Sequence, residues 1–566
     1  MNLIPAHPGS RPARPSNWTR LLTGVLLLSG LAVSVSAGDM FRPRPLPGGI
    51  DPHPWFTGVA RHGTNTTLSW YGLEGTYHVQ TAPSLSGSSG SNLLDLVATD
   101  YAWTLSFPNP GNQGYFRLNP DNGYLGARSC SSCHSDTYAG WQRTQHAGAL
   151  SVLNGVPPSE VQNCLVCHTV GYGQSTGFVS TNATPDLAGV GCESCHGPGA
   201  AHEYGDHAAV HPAYTVAAET CGGCHNGARY PTYSEWTNSA HATVTPDVAS
   251  GFDDSPSGQS RMMNCGPCHS GAVRVAMLDN YKQMLKGYTN VLALPSGNDA
   301  HSFGQTCSVC HDPHYTNGPP YQLRNPITST NFYTFVTGAA TNRNGQYLNT
   351  VFATQYVASV QICAQCHNSR GASWTSTSRP PHHSVQYNIF LGNVGELADG
   401  STPNLPYPHG VVVTNQCVTC HMQQSAYVSE QQPAVTGHSF KVESHDICGT
   451  CHSDGEAAFE LATNITLMEI QEVKAALDYW AVTKAPPALQ SKYGARAWEY
   501  TTPGELSPGG PGPSASEQAL LPVNIQKARY NLYLVYNDGS MGVHNPYFTI
   551  HLLTTAYNWV GQEVNP

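Results

Sequence analysis

Residues 189–202 read GVGCESCHGPGAAH, and the centre of that stretch, Cys192-Glu193-Ser194-Cys195-His196, is one of nine copies of C-x-x-C-H. In chain order, as motifs 1 to 9, the cysteine pairs are Cys130/Cys133, Cys164/Cys167, Cys192/Cys195, Cys221/Cys224, Cys265/Cys268, Cys307/Cys310, Cys363/Cys366, Cys417/Cys420 and Cys448/Cys451. The histidines that follow them are His134, His168, His196, His225, His269, His311, His367, His421 and His452. Nine pairs use all 18 cysteines, so none is left over as chance would leave it. A zinc site needs no histidine directly after every pair, and a disulfide framework does not space all its cysteines by two. C-x-x-C-H is the attachment sequence of c-type haem. The two thiols add to the porphyrin vinyl groups, and the adjacent imidazole is placed to become the proximal iron ligand. The expected cofactors are nine covalently attached haem c groups with their iron.

The first residues bear on where such chemistry takes place. Arg11, Arg14 and Arg20 precede the apolar run LLTGVLLLSGLAVSV (21–35), and Ser36-Ala37-Gly38 follows it. A basic segment, a short apolar run and small residues predict a signal peptide over 1–37, cleaved after Ala37. The run is short for a membrane span, and no later stretch is long and apolar enough to be one. The expectation is an exported protein, periplasmic or extracellular at the cell surface, with no transmembrane segment in the mature chain. Formal net charge is −11. Loss of the leader makes it about −14, and nine haems with neutral ligands about −23 oxidised and −32 reduced. That sign argues against a nucleic-acid partner and for cationic ones. Glycine and proline make up 98 of 566 residues, a loop-rich composition. With about 36 residues per motif between Cys130 and His452, the macrocycles themselves must supply most of the buried apolar surface.

Residues 38–122 read differently. Short alternating runs, TTLSWYG (66–72), TYHVQTA (76–82), NLLDLVA (92–98), YAWTLSF (101–107) and GYFRL (114–118), are separated by turn-rich breaks. Strands at this spacing predict a small all-β sandwich with Trp70, Trp103 and Phe116 in its core. The pattern resembles the immunoglobulin-like and fibronectin-III-like appendages of secreted proteins. Beyond it, residues 123–455 carry all nine motifs and are expected to form one nonahaem domain. They contain a duplication. Motif 1 is followed by Trp141 and, five residues on, His146-Ala147; motif 4 is followed by Trp236 and, again five on, His241-Ala242. Packing alone does not call for such a repeat, and His146 and His241 are therefore candidate distal ligands.

W-x4-H-A, GVGCESCHGPGAAH and a late GVHNP (542–546) together resemble the multihaem cytochrome c superfamily. It includes tetrahaem cytochrome c-554-like carriers, pentahaem nitrite reductases and octahaem hydroxylamine oxidoreductases. The resemblance spans about 130–566 and is strongest at 130–270 and 438–566. It implies a mainly α and irregular fold with stacked haems as the core, and bis-histidine ligation at most irons. Seventeen histidines remain after the nine motif histidines and His7, against a demand for nine. Beside His146 and His241, the candidates are His202 in GPGAAH, His301, His314 in CHDPH, one of His382 and His383, His409 in PYPHG, His438 in GHSF and His544 in GVHNP. His445, His207, His211 and His551 are left as hydrogen-bonding residues.

After His452 the cysteines stop, and 456–566 is expected to be a helical region packing on the haem domain. Phe459, Ile465, Leu467, Ile470, Val473, Leu477 and Trp480 predict a helix over 456–484 that ends at Pro486-Pro487. Further helices are predicted around 525–536 and from Pro546 to about 560.

Two functional classes follow from the resemblance. One is an electron carrier in respiratory or extracellular electron transfer. Its partners would be redox proteins, other cytochromes or quinol-oxidising membrane complexes. The other is an oxidoreductase acting on nitrite, hydroxylamine or a similar small nitrogen or sulfur species at one haem with an open position. The C-x-x-C-K that marks such a haem in the nitrite reductases is absent, and no catalytic residue is assigned. The carrier reading also admits a homo-oligomer, as the subunit of an extracellular cytochrome filament.

Overall fold

In the sequence TTLSWY, apolar and polar residues alternate with the period of a pleated strand. The computed structural model has that strand, β2 (Asn65–Tyr71), buried on one face through Thr66, Leu68 and Trp70. On the other face Thr67 and Ser69 meet Ser106 and Thr104, hydroxyl to hydroxyl at 3.1 Å, across to β5 (Ala102–Pro108). The structure describes residues 55–71, 75–82, 91–98, 102–108, 115–120, 123–174, 176–204, 211–212, 215–285, 294–316, 318–328, 361–401, 403–405 and 408–565. The expected signal peptide, His207 and the side chains of Trp103 and Phe116 lie outside the described residues.

The N-terminal strands form two three-stranded antiparallel sheets. β1 (Trp55–His62), β2 and β5 make one, in the order β1-β2-β5. β3 (Gly75–Ala82), β4 (Ser91–Ala98) and β6 (Tyr115–Pro120) make the other, in the order β4-β3-β6. The five runs read from the sequence are all strands. β1 is the addition. A register shift between Phe56 and Gly58 breaks its alternation, which hides it from a period-of-two reading. The two-residue turn Gly63-Thr64 joins it to β2, with Gly63 at φ +59°.

The motif region is built of short helices and irregular chain. Each motif is one helical turn. Backbone bonds run from the histidine N–H to the carbonyl of the first cysteine at 2.9 Å in motifs 1, 4, 6, 7 and 9. A turn of helix puts positions i, i+3 and i+4 on one face, so both thiols and the imidazole point the same way. Three longer segments stand out. α1 (Pro158–His168) and α2 (Pro256–His269) each end on a motif histidine, and α3 (Gly271–Leu285) follows α2 directly. Ser255 caps α2 through Gly258 N–H at 3.1 Å. α2 and α3 approach so closely at Gly266, inside C-G-P-C-H, that a Cβ there would meet Val273 Cγ1 at 2.7 Å. Met262, Val273, Met277 and Leu278 form the small core between them.

The C-terminal helices are α4 (Gly455–Thr483), α5 (Val523–Asp538) and α6 (Pro546–Val564). Asp454 caps α4 through Ala457 N–H at 3.0 Å, and Asn545 caps α6 through Phe548 N–H at 3.2 Å. Ile470, Val473, Leu477 and Trp480 are the buried stripe of α4, while Leu467 is exposed. Pro486 ends the α4 pattern as expected, but Pro487 then starts a further short helix, Pro487–Tyr493, because proline is tolerated in a first turn. The core of these helices also takes in Val385, Ile389 and Val394 from the motif region. At its centre Arg529 is fully buried, donating to Trp498 O at 2.9 Å and Glu499 O at 2.8 Å and lying 4.1 Å over the Tyr500 ring.

The chain divides into two compact units: Met1–Thr215 with Pro313–Thr316, and Val216–Asp312 with Asn317–Pro566. Among the described residues, no helix is long and apolar enough to cross a membrane.

Candidate haem sites

The eighteen cysteines are unbridged. Some of their thiols cluster across motifs. Cys130 lies within hydrogen-bonding reach of Cys192, Cys221 of Cys307, Cys268 of Cys366, and Cys363 of Cys417. Motif 1 is thus beside motif 3 in the first unit. In the second unit motif 4 is beside motif 6, and motif 7 lies between motifs 5 and 8.

The eighteen cysteines differ in exposure. Cys133, Cys195, Cys224 and Cys451 are exposed, and Cys167 is half-buried. These five, each the second cysteine of its motif, lie outside the four thiol contacts between motifs. Cys133 has the Ser132 hydroxyl 3.7 Å from its sulfur instead.

The duplicated tryptophans have one job. Trp141 Nε1 donates to Val190 O, two residues before Cys192, and Trp236 Nε1 donates to Gln305 O, two before Cys307, both at 2.9 Å. Each clamps the approach to a neighbouring motif.

Among the described residues, six motif histidines face a histidine from elsewhere in the chain. The ring centroids are 6.0 Å apart for His196 and His314, 5.9 Å for His269 and His382, and 6.3 Å for His311 and His438. They are 6.1 Å apart for His367 and His241, 6.2 Å for His421 and His544, and 6.3 Å for His452 and His409. Two imidazoles on opposite sides of one metal, with bonds of about 2 Å, have centroids about 6.3 Å apart. The spacing is wide enough for an iron between the rings and wider than the 3.9 Å of a directly stacked pair such as His445 and Phe459.

The other ring nitrogen is held in several of these. Nδ1 donates to a backbone carbonyl in His311 (Tyr321, 2.7 Å), His409 (Val543, 2.8 Å), His421 (Phe440, 3.1 Å) and His438 (Thr436, 3.2 Å). In His168 it donates to Ala149 O at 2.7 Å. Such bonds fix the tautomer and leave Nε2 as the lone-pair nitrogen. Burial lowers the pKa of His241 to about 4, with His367 adding to it, and that of His382 to about 3, with Arg370 and His269 adding to it. Desolvation also lowers His269, His311, His409, His421 and His438. These rings are kept neutral, the form in which imidazole binds a metal.

The remaining candidates sit elsewhere. His383 is on the surface, with Nε2 4.0 Å from Glu505, while its neighbour His382 faces His269. His301 is exposed on the short helix Gly297–Ser302. His146 is half-buried, and its backbone carbonyl accepts from Val190 N–H at 2.9 Å. His202 is 6.1 Å from His211, a residue that the sequence reading sets aside. His445 bonds Glu456 at 2.6 Å and stacks on Phe459 at 3.9 Å.

Buried acids escape a sequence reading, and Glu193 and Asp538 bear on the motifs. Glu193, between the cysteines of motif 3, accepts from Leu125, Gly126 and Gly199 N–H at 2.7–3.0 Å and ties the motif to the chain on either side. Burial pushes its carboxyl up, against those bonds. Asp538, the last residue of α5, is 2.8 Å from His544 Nδ1 and accepts the Ser540 hydroxyl. The signal available was an acid six residues before the histidine of GVHNP, which means nothing until α5 ends there.

Residues 129–197 match the family model of cytochrome c554 and c-prime, and residues 290–463 that of outer membrane cytochrome MtrC/MtrF-like, domains II/IV. Cytochrome c-554 of Nitrosomonas europaea is 36% identical over 97 residues, covering 14% of this chain. The chain spans about two fifths of that relative, 41% of its length. Among solved structures, outer cell wall cytochrome OcwA aligns with a TM-score of 0.49 at 18% identity, over 77% of this chain and 99% of its own. The undecahaem cytochrome from the S-layer of Carboxydothermus ferrireducens gives 0.45 at 19% identity, over 79% and 70%.

Proposed function

We propose that this chain, a multihaem cytochrome c, carries electrons along nine covalently bound haems, most of them held by two histidines. The observation that carries the reading is the set of six histidine pairs, each joining a C-x-x-C-H residue to one distant in sequence at 5.9–6.3 Å. When bound, the haem iron supplies a one-electron ferric–ferrous couple. The polypeptide would attach the porphyrin by two thioethers, keep imidazoles such as His241, His311, His382 and His438 neutral by burying them, and orient His311, His409, His421 and His438 through their Nδ1 bonds. All eighteen cysteines would take part. A thioether at the exposed Cys133, Cys195, Cys224 or Cys451 would bring one porphyrin edge to the surface, where electrons can enter or leave. A sixth ligand fixed in place closes the iron to small molecules, which favours transfer over catalysis. The thiol contacts between motifs 4 and 6, 5 and 7, and 7 and 8 support a route from centre to centre in the second unit.

The leader-like 1–37, the family matches and the C-x-x-C-H chemistry support an exported protein, periplasmic or at the cell surface. It would act in respiratory or extracellular electron transfer with other redox proteins. The division of six antiparallel strands between two sheets, β1-β2-β5 and β4-β3-β6, with the chain crossing from one to the other after β2, β4 and β5, supports an immunoglobulin- or fibronectin-III-like appendage at 38–122. Residues 123–455 would then be the haem domain and 456–566 a helical region that supplies His544.

The test is intact mass together with the oxidised spectrum. Nine haems and low-spin signals are expected, and fewer than eight haems would defeat the reading. A high-spin ferric signal that shifts with nitrite or hydroxylamine would make the protein an enzyme instead.

A further inference from the structure

A cavity of about 480 Å³ opens between α2 and the segment 370–382, with Cys265 and His269 on one wall and His382 on the other. That volume lies in the range of pockets that take a cofactor, about 300–1,000 Å³. Three arginines line it, Arg261, Arg370 and Arg379, against one carboxylate, Asp247. The chain has only 25 lysines and arginines in 566 residues, so three at one cavity stand well above its background.

Arg370 is placed with care. It is 9% exposed, and its backbone is left-handed at φ +51°, a conformation that a residue with a Cβ adopts only when its surroundings impose it. Those surroundings are in view. Asn368 Oδ1 accepts Arg370 N–H at 3.0 Å, Ser384 Oγ donates to Asn368 O at 2.7 Å, and Asn388 Oδ1 accepts Ser369 N–H at 2.7 Å. The guanidinium itself donates to Asn264 O at 3.3 Å, the residue before Cys265. A buried charge is thereby fixed against motif 5.

We infer that Arg370 and Arg379 hold the propionates of the haem at Cys265, Cys268 and His269. Their charge makes it the most positive in potential of the six centres in the second unit. One-electron reduction lowers the charge of the site by one without a proton. A guanidinium in a poorly screened position stabilises the ferrous state more than the ferric. The electron comes from the adjacent centre at motif 7, whose Cys366 touches Cys268. Motif 5 then acts as a side store that fills first and empties last. This rests on the haem-binding reading above and adds the order of filling.

The test is spectroelectrochemical titration of the full-length holoprotein beside Arg370→Gln, Arg379→Gln and Cys265→Ala/Cys268→Ala. Arg379 is exposed, so its substitution leaves folding intact even if that of Arg370 does not. The double cysteine variant should lose one haem by mass and, with it, the most positive one-electron component among those of motifs 4 to 9. Each arginine variant should keep its haem count and low-spin spectrum. In Arg370→Gln the same component should move negative by at least a tenfold change in reduced-to-oxidised ratio, about 59 mV, and in Arg379→Gln in the same direction by less, because solvent screens an exposed charge; Arg370→Lys should restore part of the first shift. An unmoved component, or loss of a different one in the cysteine variant, overturns the inference. A wild-type mass without a haem at motif 5 would instead defeat the haem-binding reading itself.

Discussion

His544 shows how much one neighbouring side chain decides. Burial by itself would lower its pKa, but the Asp538 carboxylate outweighs that and holds it raised. In the proposed reading the carboxylate makes His544 a more basic ligand and favours the ferric state of the motif 8 centre. Asp538→Asn is expected to shift one component of the redox titration to more positive potential, with haem content unchanged. An unmoved titration would show that the pair only orients the ring. In that reading Asp538 and Arg370 would act in opposite senses on the centres of motifs 8 and 5, whose cysteines both adjoin those of motif 7. Glu499 gives a second test at this scale. It is fully buried, accepts Tyr533 O–H at 2.5 Å and is raised by desolvation despite Tyr533 and Arg529. A carboxyl with a raised folded pKa stabilises the fold below its unfolded pKa and loses that contribution as pH rises through the folded value. Stability of the C-terminal helices should therefore fall as pH rises from acid through that value. Glu499→Gln should flatten this part of the profile, as thermal melts followed by far-UV circular dichroism would record.

Among the elements, α4 is where the periodicity argument is strongest. Leu477 is fully buried against α5 and α6, and Leu467, on the same helix, is exposed. Leu477→Ala should cost about 2–5 kcal/mol through lost burial and the cavity left behind. Leu467→Ala should stay within about 0.5 kcal/mol. Denaturant melts of the helical signal distinguish them, and equal effects would mean that the buried stripe has been misplaced. The tryptophan clamps make a prediction of the same kind. Trp236→Phe keeps most of the apolar contact but loses the bond to Gln305 O. It should loosen the approach to motif 6, seen as broadened low-spin signals from one centre rather than as loss of haem.

At the level of the molecule, motif 7 is the junction of the second unit. Its cysteines touch those of motifs 5 and 8, and its histidine faces His241. His241→Ala should open one iron, giving a single high-spin signal. It should also slow electron equilibration between the centres of motifs 5 and 8 after rapid partial reduction. Unchanged equilibration would place the route elsewhere. How far the sequence could be read varied with the range of the interaction involved. The nine C-x-x-C-H motifs are local, each within five residues, and all are visible as written. So are the five strands with clean alternation and the stripe of α4. The bulged β1 and the helix restarting at Pro487 are local as well, but their patterns are interrupted. Exposure is not local: nothing in the text separates Cys224 or Cys451, at the surface, from Cys268, which meets Cys366. Pairing is another matter again. His314 lies three residues beyond His311 and yet faces His196, and His241 faces a partner 126 residues away.

Covalent attachment chemistry is therefore what the sequence by itself determined, because two thiols and an imidazole converge within one helical turn whatever the rest of the chain does. The tertiary structure alone decided which distant histidine faces which motif, why His382 rather than His383 turns inward, and where Arg370, Glu193 and Asp538 place their charges. Those depend on long chain closures and on burial, which no spacing along the sequence encodes. GVGCESCHGPGAAH holds both kinds of information: its C-x-x-C-H is complete as text, while Glu193 acquires its role only where Leu125 and Gly126 fold back onto it.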